Sequence, residues 1–258
     1  MNRLLFEKGE INGDLVTFGG ERAEHVVLVL HGEIGQILKT GEIDGMIGTG
    51  EIVDIRRAEG GRGEPLVTVK VRHQCAAPEP WVDIVLAPPR PRVMKRLLPQ
   101  LASLGVGRLF LVGAKKVEKD FWGATLLKEE NYRPLLVDGL LQAGTTRVPK
   151  IETRRNFRRF VADELDAISP KACRIVAHPY AEVGAAEPAV APPVLLAIGP
   201  EGGWTDDEVE LLEAHGFARY SLGSRILRTD TAVVALLGRL MPVAQNGCES
   251  SKTQSCEK

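Results

Sequence analysis

The sequence predicts an α/β protein, with a helix-covered parallel sheet preceded by a small β-rich domain. From residue 81 onward, short apolar runs alternate with stretches of helical period, the pattern of a parallel sheet covered on its faces. Before about residue 73 the apolar pieces are short, glycine-bearing turns separate them, and no helical period lasts more than a turn or two. Between these regions QCAAPEP at 74–80, with two prolines and small residues, makes a poor strand and a poor helix. The expected division is a β-rich domain over 1–73, a linker over 74–80, an α/β domain over 81–243, and a polar tail over 244–258 that is too poor in core formers to order itself.

Bulk composition sets limits on function. With 258 residues, 44% hydrophobic and 26% charged, the chain has ample material for a core. Lys+Arg 33 against Asp+Glu 34 leaves a formal charge of −1, so a polyanionic partner must be met by local basic clusters and not by a global field. Cys75, Cys173, Cys248 and Cys256 show no C-x-x-C spacing, so reduced thiols are expected and neither a zinc site nor a disulfide framework is. The start, MNRLLFEKGE, has no extended apolar segment, and runs such as AVVALL are too short to span a bilayer; a cytoplasmic location is expected.

The elements follow in order. In the first region HVVLVL (25–30), GEIVDI (50–55) and PLVTVKV (65–71) read as β pieces. WVDIVLA (81–87) opens the second domain as a strand. Val93, Leu97, Leu98, Leu101 and Leu104 then recur at helical spacing before Gly105, a helix stop, and RLFLV (108–112) is the next strand. YRPLLVDGLLQAG (132–144) predicts a helix with Pro134 in its first turn and Gly144 just past its end. Phe157, Phe160, Val161, Leu165 and Ile168 mark another helical face. CRIVAH (173–178) and VLLAI (194–198) are strands, followed by a helix over 206–214, a strand at YSL (220–222) and a last helix near 230–241.

IGPEGGWTDDE, at 198–208, raises the question of function. Thr205 and Glu208 stand in S/T-x-x-E register, the capping box of a helix start, with Trp204 and Val209 at the two staple positions. A buried strand, a tight turn and a capped helix thus come in sequence, and ligands of open α/β sheets bind at such carboxyl ends. Gly202 and Gly203 would admit a ligand close to the backbone. Glu201 would repel a phosphate, and neither G-K-[ST] nor G-x-G-x-x-G is present, so a cationic or neutral adenosine-type ligand fits better. A plain αβ turn without a ligand stands as the alternative. Twenty residues on, YSLGSRILRTDTA repeats the design with Gly223, Arg225 and Arg228. One anionic and one dicationic turn suit a cationic donor beside an anionic acceptor, whereas a plain structural reading pairs one arginine with Asp230 or uses it as a helix cap.

The pair IGPEGGWTDDEVELLEAHGF and SLGSRILRTDTAVVALLGRL resembles the carboxyl-terminal signature of the SPOUT methyltransferases. Within them it is similar to the RsmE family, bacterial enzymes that methylate N3 of a uridine in 16S ribosomal RNA. The likeness is dense over 194–240 and looser over 81–193, where SLGV, the QAG-x-x-RVP run and the His178-Pro179 step carry it. The amino-terminal region is similar in layout to that family's PUA-like domain. The resemblance implies a carboxyl-terminal trefoil knot, against the connection rules of ordinary sheets. It also implies S-adenosylmethionine in the knot's loops and a homodimer with the active site near the subunit interface. Carried over, Ile198, Gly199, Pro200, Glu201, Gly202 and Gly203 form a first cofactor loop, and Leu222, Gly223, Ser224, Arg225, Ile226, Leu227 and Arg228 a second.

Methylating a uracil nitrogen requires the imide proton to leave and the resulting anion to be stabilised. Arg228, helped by Arg225, is the candidate for the anion. Glu201 and Asp230 are the nearest acids for the proton, with loss to water also open, and Glu201 fits a positioning role better than that of base. No metal is expected. Ribosomal RNA or the small subunit is the implied partner, and Arg90, Arg92, Lys95, Arg96 and Arg147 are candidates to meet its phosphates, with plain surface charge as the alternative. RRNFRRF (154–160) reads better as a solvated arginine face around core phenylalanines. His25, His31, His73 and His215 receive no role.

The chain departs from the family pattern at Ser103, Leu141-Gln142, Thr145-Thr146 and His31, all outside the cofactor loops, which bears on the RNA target more than on the methyl donor. Rival readings are a SPOUT enzyme acting on another RNA site, a non-catalytic RNA-binding or ribosome-assembly factor, and a nicotinamide-dependent dehydrogenase. The intact Glu201, Gly202, Gly203, Arg225 and Arg228 argue against the second, and the missing phosphate fingerprint against the third.

Overall fold

The structure, a computed structural model, describes residues 3–56, 64–180 and 190–242. By their contacts these fall into two compact units. One holds the chain through Pro80 together with Pro89–Leu109 and Glu118–Glu152; the other holds Trp81–Pro88, Phe110–Val117 and the chain from Thr153 on.

In the first unit, β1 (Leu4–Phe6), β2 (Leu15–Phe18), β3 (Ile37–Glu42), β4 (Met46–Arg56) and β5 (Leu66–Ala76) make a five-stranded sheet in the order β1-β3-β4-β5-β2. Side chains of β2 alternate, Val16 and Phe18 buried, Leu15 and Thr17 exposed, as the period of two demands. They join Phe6, Val26, Ile52, Val67 and Val69 in the core of this unit. β5 runs on to Ala76, so Gln74, Cys75 and Ala76 of the expected linker are strand.

Two expectations fail here. HVVLVL is not a β piece: α1 (Gly20–Glu24) continues through His25–Val29 as a π-helical turn. Ala23, Val26 and Val27 recur on one helical face and are buried, while Leu28 and Val29 are 65% and 61% exposed. Burial of that face outweighs the β preference of the branched residues, which depends on context. The second concerns the thiols, for Cys75 is disulfide-bonded and Cys173 is free.

α2 (Pro91–Ser103) begins with proline at its first position, where a missing N–H costs nothing, and buries Met94, Leu97, Leu98 and Leu101. α3 (Glu129–Ala143) starts earlier than expected, so Pro134 lies in its interior and not in its first turn. It ends at Gly144, whose φ of 72° is the left-handed cap glycine favours. α2 and α3 meet closely at Gly139, where a Cβ would stand 2.1 Å from the Pro99 carbonyl oxygen. Ser103 Oγ seals the contact, donating to Pro99 O at 2.8 Å and sharing a 3.0 Å hydrogen bond with Gly139 O. The unusual Thr146 is also structural: it is fully buried and its hydroxyl donates to Gly45 O at 2.8 Å.

β6 (Val82–Leu86), β7 (Val106–Val112), β8 (Lys150–Arg154), β9 (Cys173–Ala177), β10 (Val194–Ile198) and β11 (Ala218–Tyr220) form a six-stranded sheet in the order β11-β9-β10-β6-β7-β8. β10 runs parallel to both β6 and β9, and β11 parallel to β9. All five residues of β10 are buried, the mark of a strand covered on both faces. β11 lies two residues upstream of the expected YSL. Tyr220 ends the ladder, and the Ser221 hydroxyl accepts the Gly223 N–H at 3.1 Å and turns the chain.

The helical face at 157–168 is built as α4 (Phe157–Arg159), a π-helical turn (Phe160–Glu164) and α5 (Leu165–Ile168), capped by Asn156. Phe157 and Phe160 are core residues, and Arg154 and Arg158 pair on the outside with Glu164 and Asp207, as the solvated-face reading expects. α6 (Asp206–Ala214) and α7 (Thr229–Leu240) complete the fold. Among the described residues no helix is long and apolar enough to cross a membrane. The expected tail over 244–258 lies outside the described residues.

Candidate active site

The segments that follow β9, β10 and β11 emerge at the carboxyl ends of parallel neighbours and line one cavity of about 450 Å³. They are tied to one another. His178 N–H donates to Tyr220 O at 2.9 Å, and Ser221 Oγ, besides taking the Gly223 N–H, donates to Pro179 O at 3.2 Å. Ala232 and Leu236 of α7 contribute apolar wall, and buried Thr229 lines the cavity beside them.

The first loop is set from three directions. Gly203 N–H donates to Pro200 O at 2.8 Å, closing a tight turn, and Gly203 takes φ 69°, a conformation glycine adopts without strain. Trp204 and Val209, the two staple residues, are both in the core, with the Trp204 ring stacked on Phe157 at 5.0 Å. Glu208, 4% exposed, accepts the Thr205 N–H on Oε2 at 2.9 Å and the Lys115 N–H on Oε1 at 2.8 Å. The capping carboxylate thus reaches beyond its own helix to hold the segment after β7. Gly202 also packs closely on the Lys116 stem, where a Cβ would come to 3.0 Å from Lys116 Cδ.

Of the anticipated site residues, Ile198, Gly199, Pro200, Glu201, Gly202 and Gly203 line the cavity, as do Leu222, Gly223, Arg225, Ile226 and Leu227. Ser224 and Arg228 are not in the lining. Arg228 is the N-cap residue of α7; its carbonyl accepts the Ala232 N–H at 2.8 Å and its side chain is exposed. Local reading missed Lys116, His178, Tyr180, Ser221 and Thr229. Only the His178-Pro179 step had stood out, and without a role. The His178 ring accepts the Tyr180 N–H on Nδ1 at 3.3 Å, which leaves Nε2 to carry the ring proton. Burial, with Arg219 nearby, holds this imidazole below the usual histidine range, so it is neutral at physiological pH.

The candidates for RNA contact lie in the first unit. Arg90 pairs with Glu118 at 3.0 Å and Arg147 with Glu79, while Arg92 and Lys95 are exposed on α2. Surface ion pairs of this kind are worth little to stability.

A cavity at the carboxyl edge of a parallel sheet, walled by two glycine turns, has the position and size usual for a small-molecule site. An RNA methyltransferase domain family matches residues 77–241. Ribosomal RNA small subunit methyltransferase E of Treponema pallidum is 32% identical over 244 residues, covering 91% of this chain and 88% of that protein. Lpg2936 of Legionella pneumophila, solved with bound S-adenosylmethionine, aligns with a TM-score of 0.69 at 25% identity over 93% of this chain and 96% of its own. Ribosomal RNA small subunit methyltransferase E of Neisseria gonorrhoeae, at 17% identity, a TM-score of 0.69 and the same two shares, has the same fold. The chain is an RNA methyltransferase and belongs to the family of ribosomal RNA small subunit methyltransferase E.

Proposed function

We propose that the protein methylates N3 of a specific uridine in small-subunit (16S) ribosomal RNA, with S-adenosylmethionine as donor. The observation that carries the reading is the single cavity walled by both glycine turns. Its size lies within the roughly 300–1,000 Å³ usual for small-molecule sites, and its lining suits the donor. Ile198, Leu222, Ile226 and Leu236 offer apolar surface to an adenine ring, and the carboxylates of Glu201 and Asp206 favour a cation. Among the described residues the buried indole Nε1 of Trp204 has no hydrogen-bond partner. The Treponema relative's name and the bound donor of the Legionella structure support the same reading. The donor, when bound, supplies a methyl group activated by a positively charged sulfur.

The chain's residues have the remaining work. N3 attacks only after losing its proton, and negative charge then spreads onto the uracil oxygens. Arg225, in the lining, is the better placed of the two arginines to meet that charge, with Arg228 assisting from the start of α7. Glu201 positions the loop and the cationic donor. His178 presents a neutral N–H donor to the cavity, a role that needs no charge change during the reaction.

The same reading includes a PUA-like RNA-binding domain over 1–73, whose last strand runs on to Ala76 and shortens the linker to 77–80, a SPOUT domain over 81–243 closed by a trefoil knot, and a cytoplasmic homodimer. Arg90, Arg92, Lys95, Arg96 and Arg147 contact RNA phosphate within it. The departures at Ser103 and Thr146 serve packing and do not argue for another RNA target. The experiment is to incubate the protein with labelled donor and small subunits lacking the modification, then map the label. Label at N3 of one uridine in 16S RNA is expected; label on another base or only on transfer RNA overturns the assignment.

A further inference from the structure

Lys116 has no part in the chemistry above, yet it reaches from the segment after β7 into the first glycine turn. Its Nζ donates to Gly202 O at 2.8 Å. The Gly202–Gly203 peptide is thereby held at both polar ends, because its N–H already donates to Pro200 O at 2.8 Å. Glycine stands on either side of this peptide, and glycine's broad φ/ψ range lets such a plane rotate at little cost. The lysine supplies a restraint the two residues lack. Its stem is fitted to the turn, since a Cβ on Gly202 would lie 3.0 Å from Lys116 Cδ. The base of the tether is pinned in turn by the 2.8 Å bond from Lys115 N–H to buried Glu208.

We infer that Lys116 is a positioning residue of the methyl transfer: its ammonium group fixes the orientation of the Gly202–Gly203 peptide, so that the donor meets a preformed turn. This rests on the donor-site reading proposed above. A preformed turn raises affinity by removing the cost of ordering from the binding step. Without the tether the peptide plane samples other orientations, and binding must select the competent one, which weakens the apparent affinity by the competent fraction.

The test compares wild type, K116M, which keeps the stem and loses the donor, and K116R, which keeps a donor. Product binding is read by calorimetric titration with S-adenosylhomocysteine, turnover with small ribosomal subunits, and folding by thermal unfolding. K116M is expected to bind the product about tenfold more weakly, the scale of one lost charge-assisted hydrogen bond. Its donor KM rises to match while kcat at saturating donor stays within about twofold, the signature of lost uniform binding. K116R recovers most of the affinity, and the unfolding midpoint barely moves, because the side chain is exposed.

Wild-type affinity in K116M overturns the inference, and so does a change confined to the KM for RNA, which makes Lys116 an RNA contact instead. Wild-type protein that binds no product overturns the donor-site reading itself, a distinct result. Should K116M fail to fold, K116A carries the test, because the side chain is exposed and its loss removes the Nζ donor outright: several-fold weaker product binding supports the tether, and unaltered binding overturns it.

Discussion

The two turns that share the cavity are built in opposite ways. The first, Gly199–Gly203, is bolted to the protein: Trp204 and Val209 anchor it in the core, Glu208 ties it to residue 115, and Lys116 holds its carbonyl. The second is held chiefly by the Ser221 hydroxyl and leaves Leu222, Ser224, Arg225 and Ile226 exposed, Ile226 by 75%. Regions with few buried contacts open at the lowest free energy. Under the proposed function the difference becomes a division of labour, with the firmly held turn receiving the donor and the lightly held turn carrying the groups that act on the acceptor.

Substitutions can break that comparison. Trp204→Ala should cost about 3–5 kcal/mol of unfolding free energy, as for large aromatic truncations in cores. A chemical denaturation curve matching wild type would show that the first turn does not lean on the core. Arg225→Ala should leave that curve unchanged and lower kcat by about 10²–10³, the scale of a lost anion-stabilising donor; single-turnover methylation with full activity would remove Arg225 from the chemistry. Glu208→Ala strands two backbone N–H groups and is expected to cost about 1–3 kcal/mol, again by denaturation. Ser221→Ala should cost only about 0.5–1.5 kcal/mol, and an effect equal to that of Trp204→Ala would erase the contrast between the turns.

The smallest effect concerns pH. His178 is held below its unfolded value, so between the two values the unfolded chain binds more protons. Its contribution is fully present above the unfolded value, about 6.5, and is lost as pH falls toward the folded one. His178→Gln should flatten that acid-side fall in stability. A slope unchanged by the substitution would contradict the burial of the ring.

What could be read from the sequence was what local pattern encodes. VLLAI, the Thr205–Glu208 box and the Trp204/Val209 staple need only neighbours within one turn of helix or one strand, and all three stand in the structure. His25–Val29 misled because a run of branched residues favours strand in isolation, while the deciding term was burial of one helical face against residues far along the chain. YSL slipped two residues because a serine hydroxyl, not side-chain period, ends the ladder. Lys116 was invisible for a different reason: its partner lies 86 positions away, and nothing in GAKKVEK sets that lysine apart. The turns were legible from their glycines; the lysine that packs on Gly202 and bonds its carbonyl was not.

Glu208 has a consequence for how such a chain can drift over generations. It grips residue 115 through the main chain, so the side chain there is free to change while the join persists. Position 208 has less latitude, since there the side chain itself makes the join, with one carboxylate oxygen on each amide.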